Sequence, residues 1–308
     1  MSRDLIEQTK GKWRGILVCA GIPENYLTGK KGPCPICKDG VDRFRFDDKA
    51  GSGSYICNQC GAGYGIHLLQ KATGLDYARA CALIEYAMPS VQRSRSVPKP
   101  SSESVLAKAK ALWNEGMGIA ETTATALHLV NRGLSLDVVP RSIRHHDRVM
   151  YLEDGEFHGR LPAMLSLIQA IDGRPCGVHR TYLTSDGRKA ALPSPRKIMG
   201  TLPDGSAVRL APVSEVIGIA EGIETALAAR QKFGVPVWAA LTANNLEKWV
   251  PPEGASHVFV FGDNDKSFTG QAAAFVLAKR LKHQGFITQV HIPSCLGTDW
   301  NDEPIGAK

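Results

Sequence analysis

Carboxylates at three places in this 308-residue chain have the spacing for metal chemistry. Glu221 follows the short apolar run Val216-Ile217-Gly218-Ile219-Ala220, which suits a buried parallel strand. The residues after it, Gly222-Ile223-Glu224-Thr225-Ala226-Leu227, read as the start of a helix. Some forty residues on, Val258-Phe259-Val260-Phe261 repeats the pattern and ends in Gly262-Asp263-Asn264-Asp265. A third acidic group follows in Asp299-Trp300-Asn301-Asp302. Ligands of open α/β sheets bind outside the carboxyl ends of the strands. Acids at three successive strand ends therefore suit a divalent cation held by oxygen. The plainer alternatives are acids favoured in a first helical turn at Glu221 and Glu224, and turn formers at Asp263 and Asp265.

The second chemical group is thiol. Cys34-Pro35-Ile36-Cys37 and Cys57-Asn58-Gln59-Cys60 are separated by nineteen residues. Each Cys-x-x-Cys turn sets two thiolates on one side of a tight knuckle, and two knuckles complete a tetrahedral site for structural zinc. Phe44-Arg45-Phe46 and Ser54-Tyr55-Ile56 read as a small hairpin between them. Arg43, Arg45 and Lys49 interleave with Phe44, Phe46 and Tyr55, a mixture that holds single-stranded nucleic acid by phosphate contact and base stacking. The alternative is that the aromatics cover the zinc site and the cations are solvated. His67 is expected to pack or touch nucleic acid rather than ligate. Cys19, Cys81, Cys176 and Cys295 lie singly and read as core residues or bystanders.

The elements that must position these groups fall into three blocks. Residues 4–20, 66–73 and 76–88 read as helices around the thiol module, which spans residues 1–88. Residues 89–103 are Pro/Ser-rich and basic, with Arg93, Arg95 and Lys99, and read as a flexible linker. Residues 104–212 begin with helices over 104–114 and 122–131. A strand-rich stretch follows, punctuated by Asp154-Gly155, Asp172-Gly173 and Asp186-Gly187. Residues 163–171 could be strand or short helix, and 176–183 reads as strand. From 213 to 308, strands at 216–220, 235–241, 257–261 and 286–292 alternate with helices at 222–233, 244–249 and 268–284. That alternation implies a mainly parallel sheet with helices on both faces. The fold class is thus multidomain, α+β and α/β.

Charge follows the same division. Residues 1–100 carry 15 Lys/Arg against 9 Asp/Glu, residues 101–212 carry 14 against 11, and residues 213–308 carry 8 against 10. A basic front and an acidic back suit a polyanion that is held upstream and handled through metal downstream. No apolar run reaches about 18 residues and no secretory h-region opens the chain, so a cytoplasmic protein with no membrane span is expected.

Several of these motifs resemble one family. Cys34 to Cys37, Asp42-Arg43-Phe44-Arg45-Phe46, Ile56-Cys57-Asn58-Gln59-Cys60-Gly61 and Gly65-Ile66-His67-Leu68-Leu69 together resemble the zinc-binding domain of phage and plasmid primases and primase-helicases. Gly159-Arg160-Leu161-Pro162, Gly177-Val178-His179-Arg180 and Lys197 are similar to the basic subdomain of DnaG-type primases. Residues 213–303 resemble a Toprim domain, with Glu221 at its glutamate, Asp263 and Asp265 at its Asp-x-Asp, and Asp299 to Asp302 at its ending.

The resemblance implies a DNA-dependent RNA primase of a mobile element, acting on a single-stranded DNA template with nucleoside triphosphates. It implies Mg²⁺ or Mn²⁺ on Asp263 and Asp265 with Glu221 as an acid/base or metal-linked group. Asp299 is the further candidate ligand, and the choice between Asp299 and Asp302 stays open. Arg160, Arg180 and Lys197 would meet nucleotide or template phosphates, while Arg43 and Arg45 would touch DNA. Thr242 to Asn245 and Lys266 are further candidates for the rim of the site. Many relatives continue into a helicase, whereas this sequence ends soon after Asp302; a replicative helicase supplied as a separate protein, a longer parent chain and a protein that works alone all stay open. The rival readings are a metal-dependent Toprim nuclease and a non-catalytic single-strand-binding or helicase-loading module. No G-x-x-x-x-G-K-[ST] loop accompanies the Toprim pattern, which argues against an ATPase-linked nuclease.

Overall fold

The computed structural model describes residues 3–39, 41–91, 101–137, 139–153 and 155–302. These form two compact units that divide at Lys99 and Pro100. The central part of the expected linker, residues 92–100, and Asp154 lie outside the described residues.

The first unit opens with helices α1 (Arg3–Thr9) and α2 (Trp13–Cys19), broken at Gly11, where φ is +75°. The single helix expected over 4–20 is therefore two, because glycine there adopts a left-handed turn. Strands β1 (Phe44–Phe46), β2 (Tyr55–Cys57) and β3 (Gly61–Gly63) form an antiparallel three-stranded sheet. Helices α3 (Gly65–Thr73) and α4 (Tyr77–Ala87) follow. One core joins the helices to the sheet: Trp13, Ile16, Leu17, Leu68, Leu69 and Ile84 lie in one cluster with Phe44, Phe46, Tyr55, Cys34 and Cys57. Gly65 permits the closest of these approaches. A Cβ there would lie 2.1 Å from Trp13 Cδ2. Gly65→Ala is expected to destabilise this unit by about 1–3 kcal/mol through overpacking, read as a lowered melting temperature for the unit.

The second unit begins with α5 (Ser102–Glu115) and α6 (Ala124–Asn131), capped by Ser101 and Thr123 side chains. Strands β4 (Ile143–Glu153), β5 (Glu156–Gln169), β6 (Pro175–Tyr182) and β7 (Arg196–Gly200) are antiparallel neighbours, and residues 163–169 are strand. The two-residue strand β8 (Ala207–Val208) pairs antiparallel with β5 on one side. On the other side it meets the α/β part: β9 (Val216–Ala220), α7 (Ile223–Phe233), β10 (Val237–Ala239), α8 (Ala243–Lys248), β11 (His257–Phe261), α9 (Thr269–His283) and β12 (Ile287–His291). The result is one nine-stranded sheet, in the order β12-β11-β9-β10-β8-β5-β6-β7, with β4 beside β5. Its β12-β11-β9-β10 half is parallel.

Alternation along the strands sorts the two faces. Ile217, Ile219, Trp238, Val258 and Val260 pack with Leu246, Trp249, Leu277 and Leu281 of the α8 and α9 layer. Ala220, Val237, Ala239 and Phe261 pack on the opposite face with Ile223 and Ala226 of α7 and Leu129 of α6. Helix α5 covers the Leu165, Val178 and Tyr182 face of the antiparallel half. Arg196 and Lys197, adjacent on β7, consequently point to opposite faces.

Candidate active site and zinc site

Three loops carry the acids to one place. Glu221 leaves the end of β9 and Asp263 leaves the end of β11, its parallel neighbour. Asp299 arrives from the chain beyond β12, and two devices fix it there. Asn264 N–H donates to Thr298 O (3.0 Å), and Gly297 N–H returns the bond to Asn264 O (2.6 Å). Trp300 is buried and sits edge-on to Phe233 and Phe261, with centroids 5.1 and 6.0 Å away.

Asp263 is the electrostatic centre of the group. Burial, then the Asp299, Glu221 and Asp265 carboxylates, push its pKa from the usual 3.8 to about 7. Its Oδ1 is buried and has no hydrogen-bond partner among the described residues. A buried carboxylate oxygen without a donor, close to further acids, is of the oxygen type that hard divalent cations prefer. Glu221 is also raised, by burial and by Asp265, against a hydrogen bond from the Ala243 backbone and the charge of Arg196.

Asp265 is engaged differently. Its Oδ1 accepts from Ser267 N–H (2.9 Å), Ser267 Oγ–H (2.6 Å) and Thr269 N–H (3.1 Å), and its Oδ2 accepts from Gly270 N–H (2.7 Å). Burial acts against the charge, but these bonds outweigh it and hold the carboxyl below its ordinary value. Asp265 thus ties down the first turn of α9. Oδ2, with a single donor, keeps a lone pair free. Asp302 is exposed and accepts the Asp299 N–H at 3.1 Å, so its carboxylate serves the turn, whereas Asp299 faces Asp263.

The loop after β10 meets the site through backbone rather than side chain. Leu241 has φ +73° and donates its N–H to Glu221 O (2.8 Å), and Ala243 donates to the Glu221 carboxylate. Asn245 is buried and holds Gly205 N–H, Ser206 O and Ala240 O, which makes it structural. Lys266 is exposed.

The expected basic residues do not gather at the acids. Arg180 is 9% exposed, donates to Tyr182 Oη (3.0 Å) and Ile198 O (3.5 Å), and is held below its usual pKa by burial. Lys197 pairs with Glu153 (2.8 Å), donates to Leu152 O and lies over the Tyr151 ring. Both project to the α5 face, because they are register partners on β6 and β7. Arg160 is exposed near the start of β5, on the opposite face with Met164.

The cation that does face the carboxylates is Arg196. It bonds the Glu224 carboxylate at 3.0 Å, and its charge reaches Glu221 and Asp263. Glu224 is 2% exposed and shares the same oxygen with His128 Nε2 at 3.2 Å. Burial opposes its charge, but His128 and Arg196 hold it far below the ordinary carboxylate range. Glu224 is read from sequence as a first-turn acid, and nothing in its local pattern shows that β7 and α6 come to meet it.

In the first unit the sulfurs of Cys34, Cys37, Cys57 and Cys60 all lie within 4.8 Å of one another, with Cys34 Sγ and Cys60 Sγ 3.9 Å apart. Zn–S bonds of about 2.3 Å in a tetrahedron require a sulfur spacing near that value. Among the described residues this is the only cluster of potential ligands that close; the carboxylates of the second unit are more widely spread. Phe44, Phe46 and Tyr55 are buried under the site at 1–3% exposure, so base stacking on them is ruled out. Arg43 pairs with Asp39 (3.2 Å) and Arg45 with Asp47 (2.5 Å), both on the outer side of the hairpin. His67 is exposed, outside the sulfur cluster, and its Nδ1 accepts the Tyr64 N–H.

Comparison with known proteins agrees with this division. Residues 29–66 match the model of the zinc-binding domain of primase-helicases, and residues 216–306 match the Toprim domain. The chain thus carries a Toprim domain and a zinc-binding domain of the primase-helicase type. Between the two, residues 103–210 match a domain of unknown function (DUF7146). Among solved structures, the chain is similar to the zinc-binding and RNA polymerase domains of the Aquifex aeolicus primase. That match has 15% identity and a TM-score of 0.42, covering 98% of this chain and 82% of that one. It is also similar to the primase fragment of the bacteriophage T7 primase-helicase, at 15% identity and a TM-score of 0.39, covering 89% and 93%. A DnaG primase catalytic domain bound to ssDNA matches at 14% identity and a TM-score of 0.46, covering 65% and 76%. Among the described residues no helix is long and apolar enough to cross a membrane.

Proposed function

We propose that this chain is a DNA-dependent RNA primase that joins nucleoside triphosphates into short primers on single-stranded DNA in the cytoplasm. The observation that carries the reading is that Asp299, Glu221 and Asp265 all lie within electrostatic reach of Asp263, whose buried Oδ1 has no hydrogen-bond partner among the described residues, in a chain with a four-cysteine ribbon. Asp263, Glu221 and Asp299, with the remaining lone pair of Asp265, would hold Mg²⁺ or Mn²⁺. Such an ion would act as Lewis acid and template for a phosphoryl group in transfer. The protein's own part is placement. Asn264 and Trp300 lock the loops that bear Asp263 and Asp299, and the Ala243 N–H orients Glu221. Arg196 brings a guanidinium to a place where phosphate charge must be met. The zinc ribbon would engage the template, with Arg43 and Arg45 exchanging carboxylate partners for phosphate. Its likeness to a primase-helicase module favours a replicative helicase as partner and a mobile element as the setting.

The test is primer synthesis by the purified protein on varied single-stranded templates with labelled nucleotides and Mg²⁺ or Mn²⁺. Template-dependent oligonucleotides from the wild type, absent with Asp263→Asn and Glu221→Gln, are expected. Cutting of the DNA without products would move the protein to the nuclease class. Tight single-strand binding with neither outcome would make it a loader.

A further inference from the structure

Helix α5 covers its part of the sheet incompletely. Of its fourteen residues only Ala109 is fully buried, and Leu106 is 40% exposed. The C-terminal turn is held: the Arg144 guanidinium lies 4.4 Å from the centre of the Trp113 ring and donates to Trp113 O at 2.8 Å. Beside the helix runs a groove of about 700 Å³. Its α5 lining is Leu106, Ala109, Lys110, Trp113 and Asn114, the i, i+3, i+4, i+7, i+8 spacing of one helical face. Leu167 of β5 and Val178 of β6 line it from the sheet.

Layer geometry explains the gap. Strands β4 to β7 are about 14 Å across between outer axes, at about 4.8 Å per step, whereas a helix is about 10 Å thick. Ala190 and Leu192 help to close the Tyr151 and Tyr182 end of this face, and the Leu167 and Val178 end is left to α5. From Leu106 to Asn114 the helical wall runs about 12 Å, or two turns. A second helix packed about 8–10 Å from α5 would complete the layer. Charge selects the guest. The charged side chains lining the groove are both cations, Lys110 and Arg174. Arg174 is paired with Asp172 at 2.6 Å, whereas Lys110 is exposed with no carboxylate within 4.0 Å among the described residues. A second copy of this chain would bring like charge, since residues 101–212 carry 14 Lys/Arg against 11 Asp/Glu.

We propose that this groove docks an acidic amphipathic helix of a partner protein, laid beside α5 with its apolar side chains over Leu167 and Val178 and a carboxylate at Lys110. Recognition is then of the helix-in-groove kind, with apolar anchors three or four residues apart. None of the lining residues belongs to the carboxylate group around Asp263, so a docked partner tethers the protein without blocking that site.

The probes are displayed random peptides about four helical turns long, selected on the zinc-loaded full chain and then synthesised with a fluorescent label for anisotropy titrations. Enriched peptides are expected to be net acidic, with apolar residues at i, i+3 or i+4, and i+7. Leu106→Glu and Lys110→Glu change exposed positions and should melt as the wild type does. Each is expected to weaken peptide binding ten-fold or more. Replacing the peptide's key carboxylate by Lys should restore binding to Lys110→Glu within three-fold of the original pair, a swap that a merely structural Lys110 would not allow. The proposal is overturned by a selection that enriches nothing, by peptides that are neutral or basic, or by affinities for both variants within two-fold of wild type. A wild-type dimer in sedimentation that Leu106→Glu dissolves would show a second copy in the groove and overturn it too. So would displacement of the peptide by single-stranded DNA that Lys110→Glu abolishes, which would make the groove a nucleic-acid site.

Discussion

Removing zinc from this protein is expected to unfold residues 3–91 while residues 101–302 keep their own transition. The purified protein should contain about one zinc per chain, and a strong chelator should abolish one of two steps in a thermal or proteolytic profile. The magnitude follows from how the metal is built in. Structural zinc in small modules contributes on the order of 10 kcal/mol of folding free energy. Here the ligands are part of the core: Cys34 and Cys57 are buried with Phe44, Phe46 and Tyr55, and the same cluster runs on to Trp13, Leu68 and Ile84. Four crowded sulfurs do not stand as a stable metal-free site. Burial and the neighbouring thiols raise Cys60, while backbone N–H groups draw Cys57 down despite its burial. Cys57→Ser should therefore act as chelation does, and acidification should release the metal because the ligands must be deprotonated. Retention of both transitions after complete zinc removal would show that the helices hold the unit without the metal.

Zinc ligation was fully legible in the sequence, because two Cys-x-x-Cys knuckles fix ligand identity and proximity locally. Strands β9 and β11 were equally legible: a short apolar run bounded by glycine leaves few alternatives, and both end where the pattern ends. The continuous sheet was not. It depends on β8, two residues long, and no periodicity can be read from two residues. Side-chain direction was the other hidden quantity. Arg196 and Lys197 are neighbours in sequence, but a strand sends them to opposite faces, and the register of β7 on β6 decides which one meets the acids. The resemblance favoured Lys197 and Arg180; the pairing favours Arg196. Glu224 was hidden for a related reason, since its partners are 96 and 28 residues away along the chain. The opposing readings of Asp265, turn former and site acid, are both visible in one carboxylate, which caps α9 and borders Asp263.

Asp263→Asn is expected to destroy primer synthesis and, in the absence of divalent cation, to make the second unit more stable. Both effects come from the same crowding. A carboxyl raised from 3.8 to about 7 by burial and by Asp299, Glu221 and Asp265 is one that the fold would rather keep protonated. Between those two pH values the folded state binds more protons than the unfolded state, so stability falls as pH rises through that window. A shift of that size corresponds to roughly 4 kcal/mol at full charge, and water entry and relaxation reduce what is measured. Asparagine keeps the shape and removes the charge. We expect at least about 1 kcal/mol of stabilisation near pH 7.5 in zinc-loaded protein dialysed free of Mg²⁺ and Mn²⁺, or about 2–4 °C in melting temperature for a unit of this size. Against pH, the variant should lack the wild type's loss of stability between 4 and 7. Adding Mg²⁺ or Mn²⁺ should raise the wild type and leave the variant nearly unmoved, because binding to the folded state alone adds stability by mass action. A variant less stable than wild type without metal, or one that gains as much from Mg²⁺, would mean that Asp263 is satisfied by the protein and is not the carboxylate around which the cation is held.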